Sequence, residues 1–263
     1  MKDLVIVIPI YRNELLESER VSLLTLNASN PEYDIVFICG KSYNNAKQYQ
    51  DILEKESSVI YFNDEYFTST EAYSDLLKSQ QFYITFNRYQ YMLIYQTDCL
   101  MFNIDILKQW INEGFDYVGC PVIANATDWP SVPIAGNGGL SLRKISTFIK
   151  ILSDQSVIDE LNQNETYKKY EDVFFIEGMT EYYRLDLPDW KDAALLFGWD
   201  MNPDMLYRKF NKLPVLGCHA FMKNLPFWVL HLDYLKNDNL YNEGLEHYKE
   251  WYQTYFGSIF KYR

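Results

Sequence analysis

Four short stretches hold residue types that can do chemistry. Gln96-Thr97-Asp98 follows the apolar run Tyr91–Tyr95 and precedes Cys99-Leu100-Met101-Phe102. A carboxylate set between apolar runs is costly to desolvate unless it meets a cation, a donor or an open cleft. Asp98 therefore either caps a turn or helix, or binds a divalent metal bridging a diphosphate, since such metals take oxygen ligands and leave room for phosphate and water. Gly136-Asn137-Gly138-Gly139 opens a stretch that runs to Lys144. It is either a plain turn or a place where backbone approaches a ligand closely, and it lacks the signatures of a phosphate-binding loop or a dinucleotide fingerprint. Glu171-Asp172 stand at the start of a predicted helix, where the dipole favours carboxylates. Opening into a cleft, a carboxylate there could take a proton from an acceptor hydroxyl as a general base. His219, beside Gly217 and Cys218, is one of three histidines. It is a satisfied core residue or, if Asp98 lies nearby in space, a ligand; His231 and His247 have no helpful neighbours and receive no role.

The elements that must position these residues alternate. Leu4–Ile10 and Asp34–Cys39 are continuous apolar runs fit for strands buried on both faces, with a short strand at Val59–Phe62 and another at Tyr91–Tyr95. Between them, Glu14–Leu26, Tyr43–Glu54 and Thr70–Ser79 read as helices. This pattern predicts an open, largely parallel sheet covered by helices. Ligands bind such sheets beyond the carboxyl ends of the strands, which singles out Pro9–Arg12 and Gln96–Asp98.

The second half is less regular. Ile104–Glu113 is a short predicted helix with Asn103 as N-cap and Gly114 at its end, and Tyr117–Val122 is strand-like. A strand-to-helix passage follows at Leu140–Leu152, then a helix at Glu171–Tyr182 and a strand end at Val215–Phe221. In Asn239–Arg263, Tyr241, Leu245, Tyr248, Tyr252 and Tyr255 recur at helical spacing, the pattern of a helix docked on its own core. Without repeats or low-complexity linkers, the 263 residues read as one domain with a substantial core.

Composition sets the outer limits. A net charge of −12 argues against a broad nucleic-acid-binding face. No run is long and apolar enough for a membrane span, and the start reads as a first strand rather than a signal peptide. Cys39, Cys99, Cys120 and Cys218 are far apart and form no CxxC pair, so reduced thiols in a cytoplasmic protein are expected. Aromatic residues make up 17% of the chain, which suits a core and also a sugar or nucleotide site.

The order YMLIYQTDCLMF, FDYVGCPV, GNGGLSLRK, EDVFF, ALLFGWD and LGCHAF, with YSDLLKSQQFY before it, resembles a poorly characterised family of GT-A-type glycosyltransferases over roughly Val5 to Phe221. The resemblance implies an α/β GT-A fold in a single domain: a nucleotide-binding half (1–102), an acceptor and catalytic half (103–235) and a C-terminal aromatic helix (236–263). It implies transfer of a sugar from a nucleotide sugar, by analogy UDP-linked, to a glycan, lipid-linked or protein acceptor in polysaccharide or glycoconjugate synthesis. The family's Asp-x-Asp metal motif is here Gln96-Thr97-Asp98, so Asp98 alone carries over as a manganese or magnesium ligand, joined by His219. Pro9, Tyr11, Arg12, Gln96 and Thr97 fall at the nucleotide, and Asn137, Gly138 and Gly139 beside the sugar. Asp172 is the implied base of an inverting reaction, with Glu171 orienting it. Trp129 and Trp199 could stack on an acceptor sugar, and peripheral membrane association fits a lipid-linked one. Two other readings stand beside this: a non-catalytic nucleotide-sugar or glycan-binding relative, favoured by the lost first acid, and a metal-dependent phosphoester hydrolase.

Overall fold

Apolar runs become strands where both their faces find cover. The computed structural model describes residues 2–43, 45–122 and 134–260, with 134–135 and 250–260 described by backbone only. Its strands are β1 (Lys2–Pro9), β2 (Asp34–Gly40), β3 (Ser57–Phe62), β4 (Tyr89–Tyr95), β5 (Leu100–Met101), β6 (Tyr117–Val122), β7 (Ile134–Lys144), β8 (Gly198–Trp199) and β9 (Gly217–Cys218). Six form one sheet in the order β3-β2-β1-β4-β7-β6, and a small sheet runs β5-β9-β8. β1 to β4 are mutually parallel, while β7 is antiparallel to both β4 and β6. The central sheet is mostly parallel, as the alternating pattern predicts.

Side chains of β1 alternate between two cores with the period of a strand. Leu4, Ile6 and Ile8 pack with Leu23 and Leu26 of helix α1 (Glu17–Ala28), and with Leu107 and Trp110. Val5 and Val7 face the other way, toward Tyr73, Leu76, Phe82 and Phe148. A third cluster around Trp199, Phe221 and Trp228 joins the small sheet to the C-terminal elements. All four cysteines are buried and free.

The sheet reverses its direction of growth between β1 and β4. Strands are added outward from β1 to β2 and β3 on one side, and the chain then returns to place β4 on the other. Such a switch point leaves a crevice at the carboxyl ends of the two strands. Pro9–Arg12 and Gln96–Asp98 both lie there.

Several sequence expectations shift. Gly136–Gly139 is not a turn: it lies within β7 and pairs with β6, whose register slips at Gly119/Cys120 and Cys120/Pro121. The helix after Asn103 begins at Ile106, and the Asn103 side chain instead accepts a hydrogen bond from the Asp105 amide at 3.0 Å. The helix over 171–183 holds a π-type segment at Phe174–Met179, of the kind found where helices serve a site. The aromatic stripe of the C-terminal helix (Asp238–Phe260, with a non-helical break at Tyr248) docks in part. Tyr241 is 57% exposed and Leu245 38%, whereas Tyr248 packs against the third cluster together with the fully buried Leu240.

Candidate functional site

The loop after β1 is shaped by buried polar partners. The Tyr43 hydroxyl donates to the Tyr11 carbonyl (2.7 Å) and the Asn45 amide to that of Arg12 (3.1 Å). The Tyr11 ring meets Tyr73 edge-on, with centroids 5.2 Å apart. Beside this loop Glu19, in the first turn of α1, is only 5% exposed yet fully engaged. It accepts from the Leu16 amide, the Tyr49 hydroxyl and the Thr97 hydroxyl, and Arg12 Nε lies 3.6 Å away. Thr97 is thereby spent on structure, joining the end of β4 to α1.

The end of β4 meets β7 and β9. Gln96 donates from Nε2 to the Tyr11 hydroxyl (3.1 Å), and its Oε1 lies 3.2 Å from His219 Nε2. Asp98 Oδ1 is also 3.2 Å from His219 Nε2, and on the far side of the ring Nδ1 lies 2.9 Å from Asp200. Burial works against a charged imidazolium, but Asp98 and Asp200 outweigh it and push the His219 pKa up to about 10. For Asp98 burial also opposes ionisation; His219 outweighs it, and the nearby Lys223 ammonium adds to the effect, so the carboxyl lies below its ordinary value.

Two adjacent glycines of β7 join this cluster to the second acidic pair. A Cβ on Gly139 would stand 2.2 Å from His219 Nε2 and 2.7 Å from Gln96 Oε1. One on Gly138 would stand 2.1 Å from Glu171 Oε1. The Gly139 amide donates to Asn137 Oδ1 (2.7 Å), and the Gly138 amide to Asp172 Oδ2 (3.2 Å). Glycine is needed at both positions for close approach. Asp98, His219, Gln96, Asn137, Glu171 and Asp172 thus form one arc of contacts around Gly138 and Gly139.

The two acids of the pair differ sharply. Glu171 forms an ion pair with Arg143, at 2.6 Å, and Arg143 is completely buried. Asp172 has amide donors from Gly138 and Val173 but no cation bonded to it. Burial first, and the Glu171 charge second, raise its pKa to about 6. It is a carboxylate set up to take a proton near neutral pH.

A cavity of about 280 Å³ lies at the switch point, bounded by Tyr11, Arg12, Glu19, Asp98, Glu243 and Tyr248. The C-terminal helix forms its outer wall and is tied down where Glu243 accepts from the Ser18 amide (3.0 Å) and hydroxyl. A larger cavity of about 580 Å³, between α1 and residues such as Pro214, Leu232 and Tyr234, has no carboxylate or histidine in its lining. The smaller one holds Asp98 with Gln96 and Thr97, whereas Asn137, Glu171, Asp172 and His219 are not among the residues that line it.

The fit of a divalent ion can be judged from the donors. Asp98 Oδ1 is buried and, apart from its ion pair with His219, unpartnered. His219 Nε2 faces Asp98 Oδ1 and Gln96 Oε1; on giving up its proton there, with Nδ1–H donating to Asp200, it could bind a metal as in carboxylate–histidine–metal arrangements. The two atoms lie close enough to share an ion, and Gln96 Oε1 adds a neutral oxygen. No group of three His, Cys, Asp or Glu side chains suited to a metal occurs among the described residues, so remaining ligands would come from substrate and water.

Two expected acceptor residues fare differently. Trp199 is fully buried and its indole donates to the Ala194 carbonyl at 2.7 Å, which makes it a core residue rather than a sugar platform. Trp129 lies outside the described residues. Pro9 is buried as the last residue of β1. Sequence reading missed Asp200, Arg143, Glu19, Lys223 and Glu243, and His247 lines the cavity although no role was expected for it. Asp200 carried a usable signal, since like Asp98 it ends an apolar run; the others look like ordinary charges in sequence.

The profile of DUF5672, a family of proteins of unknown function, matches residues 56–219. No curated protein was found to match the chain. Among solved structures, mouse xyloside xylosyltransferase 1 in its apo form is similar with a TM-score of 0.57 at 13% identity, over 83% of this chain and 97% of that one. The galactosyltransferase LgtC, in complex with donor and acceptor sugar analogues, is similar with a TM-score of 0.51 at 13% identity, over 82% of this chain and 86% of that one. The fold is that of GT-A glycosyltransferases.

Proposed function

The chain belongs to the DUF5672 family, and from that membership, the GT-A fold and the arc around β7 we propose that it is a glycosyltransferase. It takes a sugar from a nucleotide-sugar donor, a UDP-sugar, to a hydroxyl of a glycan or glycoconjugate, with inversion. Residues 1–102 bind the nucleotide and 103–235 bring in the acceptor, within one domain. Tyr11, Arg12 and the end of β1 hold the nucleotide at the switch point. Asp98 and His219 hold a divalent manganese or magnesium ion, whose chemistry when bound is to neutralise charge on the leaving diphosphate. Lys223, whose charge acts on Asp98, and Arg12, in the lining of the cavity, are side-chain cations close to that place. Asp172 accepts the proton of the acceptor hydroxyl as its oxygen bonds to the anomeric carbon. The bond from that carbon to the diphosphate oxygen breaks, and its electron pair leaves with the nucleotide.

One observation carries this reading: adjacent glycines of β7 bring Asp172 and His219 against the same short segment. Asp98→Ala should weaken nucleotide-sugar binding in the presence of manganese by about tenfold or more, in line with loss of a metal ligand or its support. Calorimetry that finds equal wild-type affinity with and without manganese would reject the metal assignment.

A second reading, a non-catalytic nucleotide-sugar binder, is favoured by Gln96, which replaces an acid and is tied to Tyr11 and His219. It predicts the same binding with no release of sugar from any donor.

A further inference from the structure

Arg143 is a buried cation that the proposed reaction does not use. It is 0% exposed, on β7, and every part of its guanidinium is engaged. Nε donates to the Ser141 hydroxyl (3.0 Å), one terminal nitrogen to the Tyr83 hydroxyl (3.0 Å), and the other to the Gly138 carbonyl (3.3 Å) and Glu171 Oε1 (2.6 Å). Its face lies over the Tyr117 ring, 5.3 Å from the centroid. Burying a guanidinium is expensive, and a structural need alone would be met by apolar residues of similar volume. What Arg143 grips is specific: the carbonyl of the glycine whose amide bonds Asp172, and the carboxylate next to Asp172 in the chain.

We propose that Arg143 is a positioning residue for Asp172, acting through Glu171 and Gly138. It holds Glu171 as a paired anion that takes no part in proton transfer, and it clamps β7 against the start of the helix over 171–183. Asp172 is then the one acid of the pair left to receive a proton. The inference rests on the glycosyltransferase reading for its use, but its geometry and charge arrangement can be tested without turnover. The groups that face Asp172 are Glu171 on its own helix, Arg143 on β7 and Tyr117 on β6.

The test uses the full chain with carboxyl-labelled aspartate, following the Asp172 midpoint by 13C NMR. Glu171→Gln is isosteric and can still accept from Arg143, so it keeps the packing while exposing Asp172 to an unbalanced cation. The midpoint should then fall from about 6 by roughly one pH unit or more, as for a carboxylate gaining a nearby positive charge. An unmoved midpoint overturns the proposal. Arg143→Lys keeps the charge but loses the fork. It should leave the midpoint near its wild-type value and lower kcat about tenfold with donor KM unchanged, whereas wild-type kcat overturns the clamp. If the midpoint moves as expected but the wild type turns over no nucleotide sugar, the charge arrangement stands and the enzymatic reading fails.

Discussion

Asp172 and Asp98 are carboxylates treated in opposite ways by their surroundings. Asp98 is held ionised by His219, which suits a ligand, while Asp172 is pushed up to about 6 by burial and Glu171, which suits a base. The sign of the pH dependence follows. A base works as the free carboxylate, so transfer should level off above about pH 6 and fall roughly tenfold per unit below it. A pH–rate profile with its acid limb near the ordinary carboxylate value of about 4 would contradict the role. Gly139 offers a second test at this scale. Its backbone needs no unusual dihedral, so Gly139→Ala should fold, but the new methyl collides with His219 and Gln96. Manganese-dependent nucleotide affinity should drop about tenfold by calorimetry if His219 is displaced from a shared ligand position. Unchanged affinity would free His219 from that role.

At the scale of elements, β7 and the C-terminal helix do most to build the site, and both were partly hidden in the sequence. Glycines are poor strand formers, so Gly136–Gly139 reads as a turn by local rules. Pairing with the irregular edge of β6, and the Gln96 backbone amide donating to the Gly139 carbonyl, override that preference. The face of the C-terminal helix is only partly legible, Tyr248 packing inward and Tyr241 outward, because spacing gives a periodic stripe but not which side docks. That side is set by Glu243 reaching Ser18 and by Asn237 reaching Glu17, contacts more than 200 residues apart in sequence. Glu243→Gln should weaken this docking by about 1 kcal/mol, comparable to loss of a helix-capping bond. Amide exchange over 238–248 should then speed up about fivefold. An unchanged exchange rate would mean that the wall of the cavity is held by Leu240 and its neighbours alone.

Across the whole molecule, the alternation of apolar runs and helical spacing made the parallel sheet legible, and the position of Asp98 after β4 made the crevice legible. The Glu171-Asp172 pair and His219 stood out by residue type. Arg143, Glu19 and Glu243 did not, because their meaning lies in burial and in partners brought together only by the fold. Trp199 shows the converse error, a residue chosen for its chemistry that the third apolar cluster absorbs. The central claim is that the arc around Gly138 and Gly139 transfers a sugar with Asp172 as base. The most direct measurement incubates wild type and Asp172→Asn with UDP-sugars and candidate glycan acceptors, following the anomeric protons by NMR. The account predicts a product of inverted anomeric configuration from the wild type and a rate lower by about 10²–10⁴ for the variant, with nucleotide-sugar binding retained. Equal turnover by the two proteins, or a wild type that binds nucleotide sugars and never releases the sugar, would contradict it.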